Sequence, residues 1–228
     1  MISFQVSRVR AQLWSASRRL RMVWWFRRRS EPAEELVSVR LPDGHRVEMP
    51  RRAELAGLTA AAEQGDDAAM GNLAAVLYRK GDRDGALRWW STSWAAGNLV
   101  SGYNLGMLHA SAGDANRAQV VWEKCAALGD PDAMLGLVNQ ALERDDAAGV
   151  ERWAPVILAL GEAFPITALG VAFWDHGDLT RAEQAFLRAE ELGDGYAMEY
   201  RARILAAQGQ HEEAAALRAR AATAERLL

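Results

Sequence analysis

Few residues in this 228-residue sequence could do chemistry, and they do not converge. The four histidines are His45, His109, His176 and His211. None of the four stands in a spacing that binds metal, with no His-Glu-x-x-His or comparable cluster. His109 falls on a usually buried helix column, where a core histidine bonds a carbonyl. His176 precedes a glycine turn, where water solvates it. Cys125 is the only thiol, which excludes an intramolecular disulfide framework and a thiolate zinc site. The acidic pairs Asp66-Asp67, Asp145-Asp146, Glu190-Glu191 and Glu212-Glu213 lie at helix starts or ends, where capping and solvation account for them. With no phosphate loop, dinucleotide fingerprint or nucleophile elbow, the expectation is no enzyme, no catalytic residue, no metal and no cofactor.

Half the residues are apolar and a quarter are charged, the composition of a globular chain. The net charge of −3 is unevenly spread. Residues 1–52 carry twelve Arg against five acids, +7, whereas residues 53–228 carry fifteen bases against twenty-five acids, −10. No stretch approaches the roughly 20 apolar residues of a membrane span. A sole thiol and the absence of an export signal fit a reducing cytoplasm.

The organising feature is a period. Gly65, Gly97, Gly129, Gly161 and Gly193 are spaced 32 residues apart, and 16 residues after each comes Gly81, Gly113, Asp145, Gly177 or Gly209. Other columns keep this register: Met70, Gly102, Met134, Ile166, Met198; Leu73, Leu105, Leu137, Leu169; and Trp90, Trp122, Ala154, Phe186. Within a unit the apolar positions recur at three and four residues, which is helical. Five units of two helices result, spanning 67–98, 99–130, 131–162, 163–194 and 195–226. Glycine after a helix adopts the left-handed conformation without a steric penalty. Asp66, Asn98, Asp130 and Asp194 then cap the next helix, and Pro131 follows where its missing N–H costs nothing.

One helical hairpin cannot bury its own apolar faces. Stacking lets the Trp90, Trp122 and Phe186 column fill the space left by Ala74, Gly106 and Gly170 opposite. The expected fold is all-α, a right-handed α-solenoid of about five 32-residue helix-turn-helix repeats. Residues 52–64 match a second helix alone, a half unit closing one end, so the solenoid covers 52–228.

These columns, with Ala-Met at 69–70, 133–134 and 197–198 and Ala-x-x-x-Trp at 86–90 and 118–122, resemble tetratricopeptide repeats in their Sel1-like form. The resemblance covers about three quarters of the chain. It implies a scaffold for protein–protein contact whose first helices line a concave groove. Carried onto matching positions, the groove residues are Tyr78, Arg79, Tyr103, Met107, Asn139, Leu142, Trp174, Asp175, Tyr196, Glu199 and Arg203. Aromatics and arginine dominate binding energy at interfaces, so the implied partner is a protein or extended peptide. The competing reading is that several of these side chains pad the core between first helices.

Two units depart from the pattern. The third has Asp145 for glycine and Pro155 inside its second helix, which predicts a kink or break and a change in curvature. The fifth puts Arg201 and Arg218 where its predecessors have Leu and an aromatic, as suits a terminal unit facing water.

Two further segments precede the solenoid. Residues 31–51 form a linker in which Val37–Leu41 and Arg46–Met49 flank Pro42-Asp43-Gly44-His45, the pattern of a short β-hairpin. Residues 1–30 form a basic arm: positions 8–29 hold eight Arg, no acid, three Trp and one Phe. Four readings of the arm stay open. Arg18, Arg19, Arg21, Trp24, Trp25, Arg27, Arg28 and Arg29 could lie on an anionic membrane at the inner face. They could instead dock a partner or the solenoid. They could precede a true start at Met22 or Met49. Lastly they could contact phosphate, although no nucleic-acid recognition motif accompanies them. The resulting expectation is an interaction module held near a membrane by its arm; the alternative is a regulator whose arm touches nucleic acid while the solenoid senses a peptide.

Overall fold

The computed structural model describes residues 36–40 and 46–224, with side chains from Leu55 onward. Two compact units divide at Glu54 and Leu55. In the first, β1 (Leu36–Arg40) and β2 (Arg46–Pro50) pair antiparallel, with Val37 opposite Met49 and Val39 opposite Val47. The turn expected between them, and the whole basic arm including Arg18, Arg19, Arg21, Trp24, Trp25, Arg27, Arg28 and Arg29, lie outside the described residues.

The second unit is a stack of helical hairpins. Helix α1 (Arg51–Glu63) precedes five pairs: α2 (Asp67–Arg79) with α3 (Arg83–Ala95), α4 (Leu99–Ser111) with α5 (Ala115–Ala127), α6 (Pro131–Glu143) with α7 (Ala147–Ala159), α8 (Ala163–Asp175) with α9 (Leu179–Glu191), and α10 (Gly195–Ala207) with α11 (His211–Ala224). First helices begin at 67, 99, 131, 163 and 195, in steps of 32 residues that keep the sequence register.

The punctuation acts as the residue types dictate. The periodic glycines hold positive φ, from 71° at Gly161 to 101° at Gly97, and Asp145 takes the same left-handed conformation at φ 55°. After most helices the amide two residues beyond the C-cap bonds back into the last turn, as Asp130 N–H does to Cys125 O at 3.1 Å. Caps then open the next helix: Asp66 accepts from Ala69 N–H at 2.9 Å and Asp130 from Ala133 N–H at 2.7 Å. Asp82, Asp114 and Asp178 cap the second helices in the same way, accepting from the amide three residues on.

The packing is an exchange of volume between partner helices. A Cβ at Gly106 would come within 2.2 Å of Trp122 Nε1, and one at Gly170 within 2.6 Å of Phe186 Cε1. The bare backbone therefore admits the ring. Trp90, Trp122 and Phe186 are buried, as are Leu73, Leu105, Leu137 and Leu169. Cys125 is buried too, and desolvation, with nearby Asp130, pushes its thiol up to about 11. It is neutral and inert at physiological pH.

Two expectations need correction. Of the kink or break expected at Pro155, the break is absent: α7 runs through it to Ala159. Pro155 and Glu151 are both exposed, so the intrahelical bond that the proline removes lies on the side of the helix away from the core. The irregularity appears further on. After α7 the returning bond from residue 162 is lacking among the described residues, and Glu162 makes no side-chain cap for α8. From α2 onward, α7 packs least extensively on its successor, while α6 and α8 make more extensive contact than other first-helix neighbours. Arg201 is the second correction. It does not face water: it pairs with Glu190, which also binds Arg220 at 3.0 Å, and the Arg201 and Glu190 side chains are 17% and 11% exposed. Arg218 is exposed, as expected, 3.6 Å from Glu199.

Both ends are sealed. Ala62, Leu55 and Leu58 of α1 cover Ala69, Met70 and Leu73, and Ala214, Leu217 and Ala221 of α11 cover Met198 and Ala202.

Candidate partner-binding surface

First helices of successive units touch directly, α4 with α6 and α6 with α8, whereas second helices share no comparable contact among the described residues. In the middle three units the first helices are therefore the ones drawn together. Helical periodicity decides which of their residues point outward from the core. Leu105, Leu108, Leu137 and Leu169 are buried. Two other columns are half-buried in every unit: Ala75, Met107, Asn139, Val171 and Arg203, and three residues later Tyr78, Ala110, Leu142, Trp174 and Ala206. Positions three apart are neighbours on a helix face, so ten side chains form one strip across all five units. It is mostly apolar.

The expected groove residues distribute unevenly over this strip. Met107, Asn139, Leu142, Trp174 and Arg203 lie in it, as does Tyr78, whose ring packs 5.6 Å from Trp90. Arg79 and Tyr196 are exposed, the latter by 51%, at opposite ends of their helices. Asp175 is half-buried at the end of α8. Glu199 holds Arg203 at 3.3 Å and Arg218 at 3.6 Å, forming a polar bracket at the C-terminal end. Tyr103 is corrected: it is 8% exposed, stacks on Trp122 at 6.4 Å, and its carbonyl accepts from Trp122 Nε1 at 3.1 Å. It belongs to the core.

Tyr200 went unnoticed in the sequence. It lies in α10 between Trp174, edge-on at 6.3 Å, and Phe186, stacked at 4.9 Å, with the Arg203 guanidinium 5.2 Å over its ring. Burial raises its phenol pKa, opposed by Arg203 and assisted by Asp175. Tyr200 is the floor beneath Trp174. The signal was an aromatic in a column otherwise occupied by Asn72, Asn104, Gly136 and Ala168. The strip also includes Ala75, Ala110, Val171 and Ala206, which the full 32-residue period would have named.

Among the described residues no group of three or more His, Cys, Asp or Glu is placed to hold a metal ion, and no helix is long and apolar enough to cross a membrane.

Residues 68–90 match the family model of the tetratricopeptide repeat. In fold the chain is similar to a Sel1 repeat protein from Oxalobacter formigenes, with a TM-score of 0.51 and 18% identity over 74% of this chain and 84% of that one. It also matches MamA from Desulfovibrio magneticus RS-1, with a TM-score of 0.46 and 22% identity over 71% of this chain and 97% of that one. A further match is YrrB, described as a tetratricopeptide repeat protein with an unusual peptide-binding site, with a TM-score of 0.41 and 16% identity over 74% and 92% of the two chains. The comparison with curated proteins returned no match. The chain thus carries a tetratricopeptide repeat and has the helical-repeat solenoid fold of tetratricopeptide and Sel1 repeat proteins. That class of fold typically serves as a protein–protein interaction scaffold.

Proposed function

We propose that the solenoid is an interaction module that holds a segment of a partner protein along the strip on its first helices. One observation carries this reading. The Met107 and Trp174 columns are left half-buried in every unit, although the column of Ala74, Gly106, Val138, Gly170 and Ala202 just before the first is buried throughout. A mostly apolar strip with a position in every unit suits an elongated ligand better than a compact one. Trp174 is the strongest anchor, because its ring rests on Tyr200 and is therefore held in place before a partner arrives.

The test is capture of the native partner by the full chain and by a Leu142→Ala/Trp174→Ala variant. Both side chains are half-exposed, so the variant is expected to keep its helical circular dichroism while losing capture by about tenfold or more. Undiminished capture by a folded variant would remove the strip from the binding surface.

A further inference from the structure

We propose that the last hairpin, α10–α11, is a latch that opens as one piece, with Glu190 as its catch and the setting of Trp174 as what it controls. The seam between the fourth and fifth units is chemically unlike the others. Where α2, α4, α6 and α8 bring buried Leu73, Leu105, Leu137 and Leu169, α10 brings Arg201. Where α3, α5 and α7 bring Trp94, Ala126 and Leu158, α9 brings Glu190. The two exchanges match, because the Arg201 guanidinium pairs with one Glu190 oxygen. The other oxygen takes Arg220 of α11 at 3.0 Å. One carboxylate of the fourth unit thus holds both helices of the fifth.

Charge makes that seam specific but easy to open. Leucines parted from their neighbours expose apolar surface to water, at a cost that grows with area. Arg201 and Glu190 instead recover hydration, which pairing in the closed state replaces only in part. Arg201 Nε has no hydrogen-bond partner among the described residues. The hairpin also holds together better than it adheres. Helix α11 packs extensively on α10 alone, and α10 packs on α11 much more extensively than on α9. A terminal unit has one neighbour to leave, whereas an inner unit has two.

Opening dismantles the anchor. Tyr200 of α10 lies between Trp174 and Phe186, and the Thr167 hydroxyl donates to the Asp194 cap of α10 at 2.5 Å. When α10 leaves, Trp174 loses the ring it rests on, and the strip loses Arg203 and Ala206. A partner seated on Trp174 therefore favours the closed state and holds the hairpin shut. That consequence rests on the groove reading; the latch itself does not.

The test is hydrogen exchange of the full chain read by mass spectrometry, with hydroxyl-radical oxidation of Trp174 measured alongside. Residues 195–224 are expected to exchange together and faster than α4–α7. Arg201→Leu/Glu190→Leu gives the seam the apolar character of the others and is expected to slow that block about tenfold or more. It should leave α4–α7 unchanged and lower Trp174 oxidation. Glu190→Gln, which takes the carboxylate from both arginines, is expected to speed the block at least tenfold and raise Trp174 oxidation. Exchange of 195–224 as slow as that of α4–α7 would overturn the proposal, as would protection lost residue by residue inward from 224. So would unslowed exchange in the leucine variant, or Trp174 oxidation indifferent to both variants. If the exchange and oxidation results hold while native capture ignores Leu142→Ala/Trp174→Ala, the latch stands and the groove reading falls.

Discussion

Trp122 lies 3% exposed against the backbone of Gly106, and its indole N–H reaches Tyr103 O. Trp90 occupies the same column, but Ala74 stands where Gly106 does, and Trp90 Nε1 has no hydrogen-bond partner among the described residues. Deleting Trp122 removes the ring and its N–H bond to Tyr103 O and opens a cavity, so Trp122→Ala is expected to cost about 3–5 kcal/mol in urea melts. A loss under about 1 kcal/mol would show that the ring is not structural. The column pairing of small with large residues was readable from spacing, and so was the burial. Tyr103 was not, because a single aromatic on a first helix fits either the groove or the core. Only the position of Trp122 decides between them.

At the scale of elements, the junction of α7 and α8 shows what the period alone conceals. Pro155 stood out in the sequence, yet its helix continues through it. The cap fails for a different reason. Elsewhere a first-helix cap commonly bonds the amide three residues on, and at Glu162 that residue is Pro165, which has no N–H. Pro165 is buried in a column otherwise filled by Ala69, Ser101, Ala133 and Ala197. Restoring the cap therefore takes two changes. Glu162→Asp alone is expected to gain little, whereas Glu162→Asp with Pro165→Ala should exceed the sum of the single variants by roughly 0.5–2 kcal/mol in a thermodynamic cycle. Additive effects would show that the missing amide is not the cause. The boundaries of the helices were legible because glycine and aspartate mark them at fixed intervals. A change in curvature at the third unit was expected from Pro155, but which helices it would draw together was not, because that depends on how neighbouring units tilt.

For the whole molecule, repetition makes one surface out of many small contributions. Each unit adds one pair of half-buried side chains to the same strip, and both ends are covered by helices α1 and α11. The sequence marked six of those ten positions through its resemblance to known repeats, and the structure supplies the rest through uniform exposure along two columns. Tyr200 and the half-buried Arg201–Glu190 pair depend on contacts between units, which is why the spacing did not announce them. The most direct measurement is hydroxyl-radical footprinting of the full chain with and without its native partner. Protection is expected at Tyr78, Met107, Leu142 and Trp174, with Val120, Val156 and Leu187 on the second helices unchanged. Protection of the second-helix residues, with Met107 and Trp174 still oxidised at the free rate, would contradict binding on the inner strip.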